Sequence, residues 1–310
     1  MTFLPEIVVV GSLNMDLIFR TPRVPVAGET LLGGEFTTAF GGKGANQAVA
    51  SARLGAAVAM VGKVGADEFG PALVAGLRQD GIDTTHVRVA EEAATGVALI
   101  LLEATGENRI VVASGANWTV RAADIEAAAD LIRQAKVLLL QLEVPVASVT
   151  CAAQLAHEAG VRVVLNPAPA QAHLPAALLQ QVEILLPNEG EATLLAGLPP
   201  ESAPEEAATA LLNAGVQVVV ITLGSKGALI ARESGFEYVK PFSTEVVDTT
   251  AAGDAFAGGL SAALVAGQPL EEAVRWGNAA GSLACSQLGA QPSLPTRVQL
   301  LARLQENLAH

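Results

Sequence analysis

Short, almost wholly apolar runs alternate along the chain with longer, alanine-rich segments that look helical. Residues 6–11 (EIVVVG), 57–62 (AVAMVG), 137–141 (VLLLQ), 161–166 (VRVVLN), 183–187 (EILLP) and 217–223 (QVVVITL) read as strands. They are apolar at consecutive positions, as parallel strands covered on both faces must be. Between them, residues 44–54, 68–80, 122–134, 146–159 and 204–214 read as helices. This alternation predicts βαβ units and an α/β fold whose doubly wound, mostly parallel central sheet is flanked by helices. After Gly253 the pattern turns helical, over 254–266, 270–286 and 297–308.

Two segments interrupt the alternation. Residues 30–40 are β-like and flanked by glycine, while 96–103 (GVALILLE) and 109–113 (RIVVA) flank a hairpin-length loop at 104–108 (ATGEN). They predict a small β-strand lid, inserted at about 12–40 and 96–113, over the carboxyl edge of the sheet where open α/β folds bind ligands.

Charge narrows the function. Against 18 Lys and Arg the 310 residues carry 31 Asp and Glu, a formal net charge of −13. That balance argues against nucleic acid or an anionic membrane surface as partner. An anionic nucleotide is still accessible through a local site of backbone N–H groups or a metal. No apolar run reaches the roughly 18–20 residues needed to span a bilayer. Glu6 stands where a signal peptide would be basic, so a cytoplasmic protein is expected. Cys151 and Cys285 lack CxxC spacing and read as small buried thiols in a reducing compartment. His86, His157, His173 and His310 have no metal-ligand spacing and read as surface residues, and Trp118 and Trp276 as core or edge packing.

Neither common phosphate loop is present. Lys43 in GGKG precedes Gly44 rather than Ser or Thr, and no G-x-G-x-x-G follows a strand and opens a helix. Three other glycine-rich stretches carry candidate chemistry. Gly41-Gly42-Lys43-Gly44-Ala45-Asn46 either brings backbone and the donors of Lys43 and Asn46 to hydroxyl groups, or is a turn capping a helix. Thr222-Leu223-Gly224-Ser225-Lys226-Gly227 follows a strand and suits a nucleotide, or is a turn into a short strand at 228–231. Asp248-Thr249-Thr250-Ala251-Ala252-Gly253-Asp254 opens a small-residue helix, where unpaired N–H groups and the helix dipole favour an anion. Asp254 is there either a capping carboxylate or the base of a phosphoryl transfer. Asp16 and Glu143 follow strand ends, where carboxylates bind sugar hydroxyls or face solvent; Asn188 and Glu191 join a site or cap the next helix.

Taken in order, GSLNMD, GGKGANQA, LLLQLE, LNPAPA, LPNEGEA, ITLGSKG, VDTTAAGDAF and GAQPSLP, from about residue 8 to 295, resemble the ribokinases of the PfkB carbohydrate kinase family. The resemblance implies one kinase domain over 1–310 that transfers the γ-phosphoryl group of ATP to the 5-hydroxyl of D-ribose. It implies sugar contacts from Asn14, Asp16, Gly42, Lys43, Gly44, Ala45, Asn46 and Glu143. Asp254 becomes the catalytic base and the N–H groups of Ala252, Gly253 and Asp254 the anion hole. ATP falls to Asn188, Thr222, Leu223, Gly224, Ser225, Lys226, Gly227, Gly253 and Asn278. Mg²⁺ falls to Glu191 through water, and K⁺ to Asp248, Thr250, Ala284, Gln287, Gly289 and Ser293, several through carbonyls. A homodimer through the lid strands is implied as well.

Many family members have glycine where this chain has Ala251, a variant typical of ribokinase-like sequences, and histidine is also common at the position of Asn278. An ordinary Asp pKa, near about 3.9, makes Asp254 ionised at neutral pH. Rival readings are a PfkB kinase for 2-deoxyribose, a nucleoside or a hexose, and a non-catalytic sugar sensor, which is expected to lose Asp254 or Gly253.

Overall fold

The computed structural model describes residues 4–103 and 108–306. Its strands are β1 (Ile7–Val10), β2 (Asn14–Thr21), β3 (Phe36–Gly41), β4 (Val58–Gly65), β5 (Asp83–Ala90), β6 (Gly96–Glu103), β7 (Asn108–Ala113), β8 (Val137–Leu140), β9 (Arg162–Leu165), β10 (Ile184–Leu185), β11 (Val218–Thr222), β12 (Ala228–Arg232) and β13 (Gly235–Val239). Nine form the central sheet, in the order β13-β12-β11-β10-β9-β8-β1-β4-β5. From β11 to β5 every pairing is parallel; β12 and β13 add an antiparallel edge.

Both faces of the sheet are covered, which is why its strands are apolar at consecutive positions. Ile7 and Val9 face one core, shared with the helices Lys43–Arg53, Ala252–Val265 and Leu270–Cys285. Val8 and Val10 face the other, shared with Val146–Glu158 and Pro204–Asn213. On the first face Gly258 lets the Ala252–Val265 helix lie directly on Lys43–Arg53; a Cβ there would sit 2.4 Å from Ala50 Cβ.

The order in which strands join the sheet reverses at β1, the switch point, with β4 and β5 added on one side and β8 to β11 on the other. The carboxyl ends of β1 and β8 therefore border a crevice, the place where doubly wound sheets bind ligands. Beside it stands a second sheet, β3-β2-β6-β7. β2 and β6 pair in parallel over eight residues, from Asn14 with Gly96 to Thr21 with Glu103. Asp67 fastens its root: its carboxylate accepts from the backbone N–H of Phe69, Gly70 and Thr95 and from Thr95 Oγ1 (2.6 Å).

The expected strands and most helices are present, with differences at the margins. The predicted helix at 122–134 is two, Ala122–Glu126 and Ala129–Gln134, because buried Ala128 leaves helical dihedrals (φ −103°, ψ 8°). β5 and β13 escaped the pattern because they are sheet edges, half polar and largely exposed. The β-like stretch expected at 30–40 is β3, displaced to Phe36–Gly41. Cys151 and Cys285 are half-buried rather than buried. Trp118 is 59% exposed rather than packed, while Trp276 is in the core. His157 and His173 are exposed, but His86 is half-buried with Nδ1 unpartnered. The hairpin tip at 104–107, His310 and the end of the helix expected to reach 308 lie outside the described residues.

Candidate active site

The crevice is built from the turn after β1, the first turn of the Lys43–Arg53 helix and the segment after β8. Asn14 opens β2, and its Oδ1 accepts from Asn117 Nδ2 (2.7 Å), leaving its own Nδ2 without a hydrogen bond among the described residues. Asn117 also pairs with both backbone groups of Leu13. Glycine is obligatory at two adjoining positions: a Cβ at Gly41 would lie 2.3 Å from the Asp16 carboxylate, and Gly42, at φ 89°, packs on the backbone of Leu13 and Asn14. Glu143 Oε2 accepts from Ser12 Oγ and from the Lys43 N–H (3.0 Å), so it ties the β1 turn to the helix start. The Ala45 N–H reaches Ser12 O (2.9 Å) and the Gly44 N–H Ser12 Oγ (3.2 Å), completing that seam.

Asp16 is buried and its carboxylate takes no hydrogen bond among the described residues. Burial first, then the negative charges of Glu143 and Asp254, push its pKa up to about 7. Burial works against the ammonium of Lys43, but the carboxylates of Asp254, Glu143 and Glu191 outweigh it and hold its pKa above the ordinary lysine range.

Asp254 lies in the first turn of the Ala252–Val265 helix and is 6% exposed. Its Oδ2 accepts from Asn46 Nδ2 and its Oδ1 from Gln47 Nε2, each at 2.9 Å. Burial is the largest influence and raises its pKa despite Lys43 and these two donors. The ordinary acidity expected from sequence therefore does not hold at this position. Ala251 enters the helix left-handed, at φ 58°, and is the one non-glycine residue with positive φ among the described residues. Of the three N–H groups at the helix start, that of Ala252 donates to Thr249 O (3.2 Å); those of Gly253 and Asp254 are unpaired among the described residues. Of the three donors expected from sequence to form an anion hole, two are thus uncommitted.

Two clefts meet at this helix start. One, about 210 Å³, is lined by Lys43, Asn188, Glu191, Gly253 and Asp254. The other, about 560 Å³, runs from Gly224, Ser225 and Gly227 past Phe242 and Phe256 to Asn278. Thr222, Thr249 and Gly253 line both. Gly224 (φ 57°) and Gly227 (φ 94°) form the turn after β11, which the Leu223 N–H closes on Gly227 O (2.8 Å). The Leu223 side chain is buried, and Lys226 is exposed and reaches Glu189 (3.4 Å), so neither side chain lines a cleft.

Asn188 and Glu191 form a capping box on the Glu189–Leu195 helix: Asn188 Oδ1 accepts from the Glu191 N–H (2.8 Å) and Glu191 Oε2 from the Asn188 N–H (2.9 Å). Glu191 Oε1 carries no hydrogen bond, and burial raises its pKa against the Asn188 and Lys43 contributions. Asn278 spends Nδ2 on the carbonyls of Val239 and Lys240, leaving its Oδ1 to the cleft.

Asp248 gathers part of the expected cation set. Its Oδ1 accepts from the Thr250 N–H and Oγ1, its Oδ2 from the Gly289 N–H (2.9 Å), and its N–H reaches Cys285 O. Burial is the largest influence on its carboxyl, but these donors together hold the pKa down. The Ala284 carbonyl accepts the Gln287 N–H (3.2 Å) at the end of the Leu270–Cys285 helix, and Ser293 Oγ donates to Ala290 O (2.8 Å). No hydrogen bond joins Ser293 to Asp248.

The family model for pfkB family carbohydrate kinases matches residues 4–297. The chain belongs to that family. A ribokinase of Haemophilus influenzae is 43% identical over 299 residues, covering 96% of this chain and 97% of that protein. A deoxyribokinase of Salmonella typhi is 36% identical, covering 94% and 96%. The structure of Arabidopsis thaliana ribokinase complexed with ribose and ATP superposes with a TM-score of 0.90 at 34% identity, covering 97% of this chain and 99% of that one.

Sequence reasoning about this family member missed four buried amides: Gln47, Asn117, Gln141 and Asn166. Gln47, Gln141 and Asn166 lie inside quoted motifs, and Asn117 in none of them. The available signal was an uncompensated amide in an otherwise apolar run, as Gln141 is in VLLLQ.

Proposed function

We propose that the protein is a ribokinase, phosphorylating O5 of D-ribose with ATP to give D-ribose 5-phosphate and ADP. One observation carries the reading: buried Asp254 stands beside two unpaired helix-start N–H groups, where a small polar cleft opens into a larger cleft flanked by aromatic rings.

Asp16, free of protein donors, accepts from sugar hydroxyls; Asn14 Nδ2 donates, and the buried, unpartnered Asn46 Oδ1 accepts. Glu143 shapes this pocket through Ser12 and Lys43. The Asp254 carboxylate takes the O5 proton as O5 attacks the γ-phosphorus and the bond to the β-phosphate oxygen breaks, releasing ADP. The raised Asp254 pKa brings the base closer to operating pH and strengthens it. The N–H groups of Gly253 and Asp254, with Lys43, face the charge on the transferred group. The turn Thr222–Gly227 and the walls at Phe242, Phe256 and Asn278 receive the nucleotide.

Glu191 fits a water-mediated magnesium site, since one carboxylate oxygen is uncommitted and its side chain lines the smaller cleft. Magnesium bound with the nucleotide neutralises phosphate charge. Asp248, with the carbonyls of Thr250, Ala284, Gln287 and Gly289 and the Ser293 hydroxyl, is an all-oxygen set of the kind hard cations favour, and suits K⁺. The sheet β3-β2-β6-β7 exposes Phe36, Ile110, Val111 and Val112, which supports a homodimer through this lid.

The test is ATP-dependent phosphorylation of ribose, 2-deoxyribose, fructose and adenosine, each in K⁺ and in Na⁺. Ribose is expected to be preferred, with turnover higher in K⁺. Preference for another substrate overturns the sugar assignment, and folded protein that binds ribose without turnover supports the sensor instead. Asp254→Asn is expected to lower turnover by about 10²–10⁴-fold.

A further inference from the structure

Behind Asp254 lies a run of side-chain amides to which the resemblance gave no role, and of which only Asn166 lines a cleft. Gln141 Nε2 donates to Gln47 Oε1 (2.6 Å), and Gln47 Nε2 donates both to Asp254 Oδ1 (2.9 Å) and to Asn166 Oδ1 (3.1 Å). Asn166 Nδ2 in turn donates to the backbone carbonyl of Leu186 (2.8 Å). Gln47 and Gln141 are fully buried and Asn166 is 8% exposed. Gln47 lines neither cleft.

The orientation of every amide follows from one fixed point. A backbone carbonyl only accepts, so Asn166 must turn its NH₂ towards Leu186 and its oxygen towards Gln47. Gln47 must then present its NH₂ there, and the second hydrogen of that group falls on Asp254. The Gln141 donation to Gln47 Oε1 blocks the flipped arrangement from the other side. An amide held in this way only donates to Asp254, and a donor favours the ionised form of a carboxylate.

We propose that Gln47 is a positioning residue for the base: anchored by Gln141 and by Asn166 on Leu186, it fixes the Asp254 carboxylate and holds it as a proton acceptor. The inference rests on the reading of Asp254 as general base. It adds three residues to the machinery, none of which has to touch the sugar or the nucleotide. Leu186 immediately precedes the Pro187–Glu191 segment, so the fixed point of the relay is shared with the wall of the phosphate-side cleft.

The experiment compares wild type, Gln47→Met, Gln141→Met and Asp254→Asn with the sugar the wild type turns over best, measuring kcat, KM and the pH profile of kcat, with melting temperature as the folding control. Gln47→Met is expected to lower kcat about 10–100-fold, the scale of a displaced reacting group, with both KM values held within about two-fold. The acidic limb of its kcat profile is expected to move to higher pH, since the ionised base has lost a donor. Lys43, Glu143, Glu191 and Asp16 also act on Asp254 and are unchanged in this variant, so they do not account for the shift. Gln141→Met keeps both donations of Gln47 and is expected to shift the limb less, in the same direction; it serves as the test if Gln47→Met does not fold. A folded Gln47→Met with wild-type kcat and pH limb overturns the proposal, as does a loss confined to KM. If Asp254→Asn retains turnover, it is the assignment of the base that fails.

Discussion

At the proposed sugar site, the cost of burial is concentrated in Asp16. Its folded pKa of about 7 lies above the ordinary aspartate value of 3.8, so the folded state holds a proton that the unfolded chain releases. A carboxyl raised in this way lends stability below pH 3.8 and loses it as pH rises through about 7, an effect of the order of 4 kcal/mol for this shift. Asp16→Asn is therefore expected to raise the melting temperature of the ligand-free protein, by more at pH 8 than at pH 5, while abolishing sugar binding. A gain over wild type no larger at pH 8 than at pH 5 would contradict this. In the wild type, KM for the sugar is expected to fall as pH rises past about 7, where the carboxylate is free to accept hydroxyl hydrogens. Ala251 is a second costly residue, since its left-handed φ of 58° suits glycine. Ala251→Gly should stabilise the protein by up to about 1 kcal/mol in denaturant unfolding. Little change in kcat is expected, because glycine adopts the same turn.

At the scale of elements, the Asp67 clasp shows how the lid is held at the rim. Asp67 accepts from the first N–H groups of the Phe69–Gln79 helix and from Thr95, the residue before β6. Burial opposes its charge, but these donors hold its carboxyl below the ordinary range, so its contribution is present above pH 3.8 and fades as pH falls below that. Asp67→Ala should cost about 1–3 kcal/mol by unfolding and raise KM for the sugar more than for ATP, because β6 pairs with the strand bearing Asn14 and Asp16. Equal rises in the two KM values would refute that route to the sugar site. The N-terminus of the Lys43–Arg53 helix is held differently, by Glu143 from across the switch point.

For the molecule as a whole, what was legible from sequence follows burial. The seven parallel strands are covered on both faces, or sit next to such strands, and most of them announced themselves as apolar runs. The exceptions, β5 and the antiparallel β13, are edge strands whose exposed positions carry Thr85, Arg88, Glu237 and Tyr238, and periodicity had little to work with. β2 was hidden for a different reason, since its buried first half carries Asn14 and Asp16, polar residues placed there by the site. The glycine turns and Asp254 were readable as motifs, whereas Gln47, Gln141 and Asn166 were not, because their partners lie 94, 119 and 207 positions away in sequence. The exposed lid face makes a prediction at this scale: Val111→Lys should shift sedimentation from dimer to monomer, and a wild type that sediments as a monomer would refute the interface.

The contact between Gly258 and Ala50 ties the production of this protein to its competence. The sheet up to β11 is complete by residue 222, yet the helix that carries Asp254 follows it and must close over a helix made some 200 residues earlier. On a ribosome the crevice is thus roofed last, and a chain released early would lack Asp254 together with the helices that cover Ile7 and Val9. Such a chain leaves one face of its sheet bare, so early release is expected to yield a product that is cleared rather than one that is half competent.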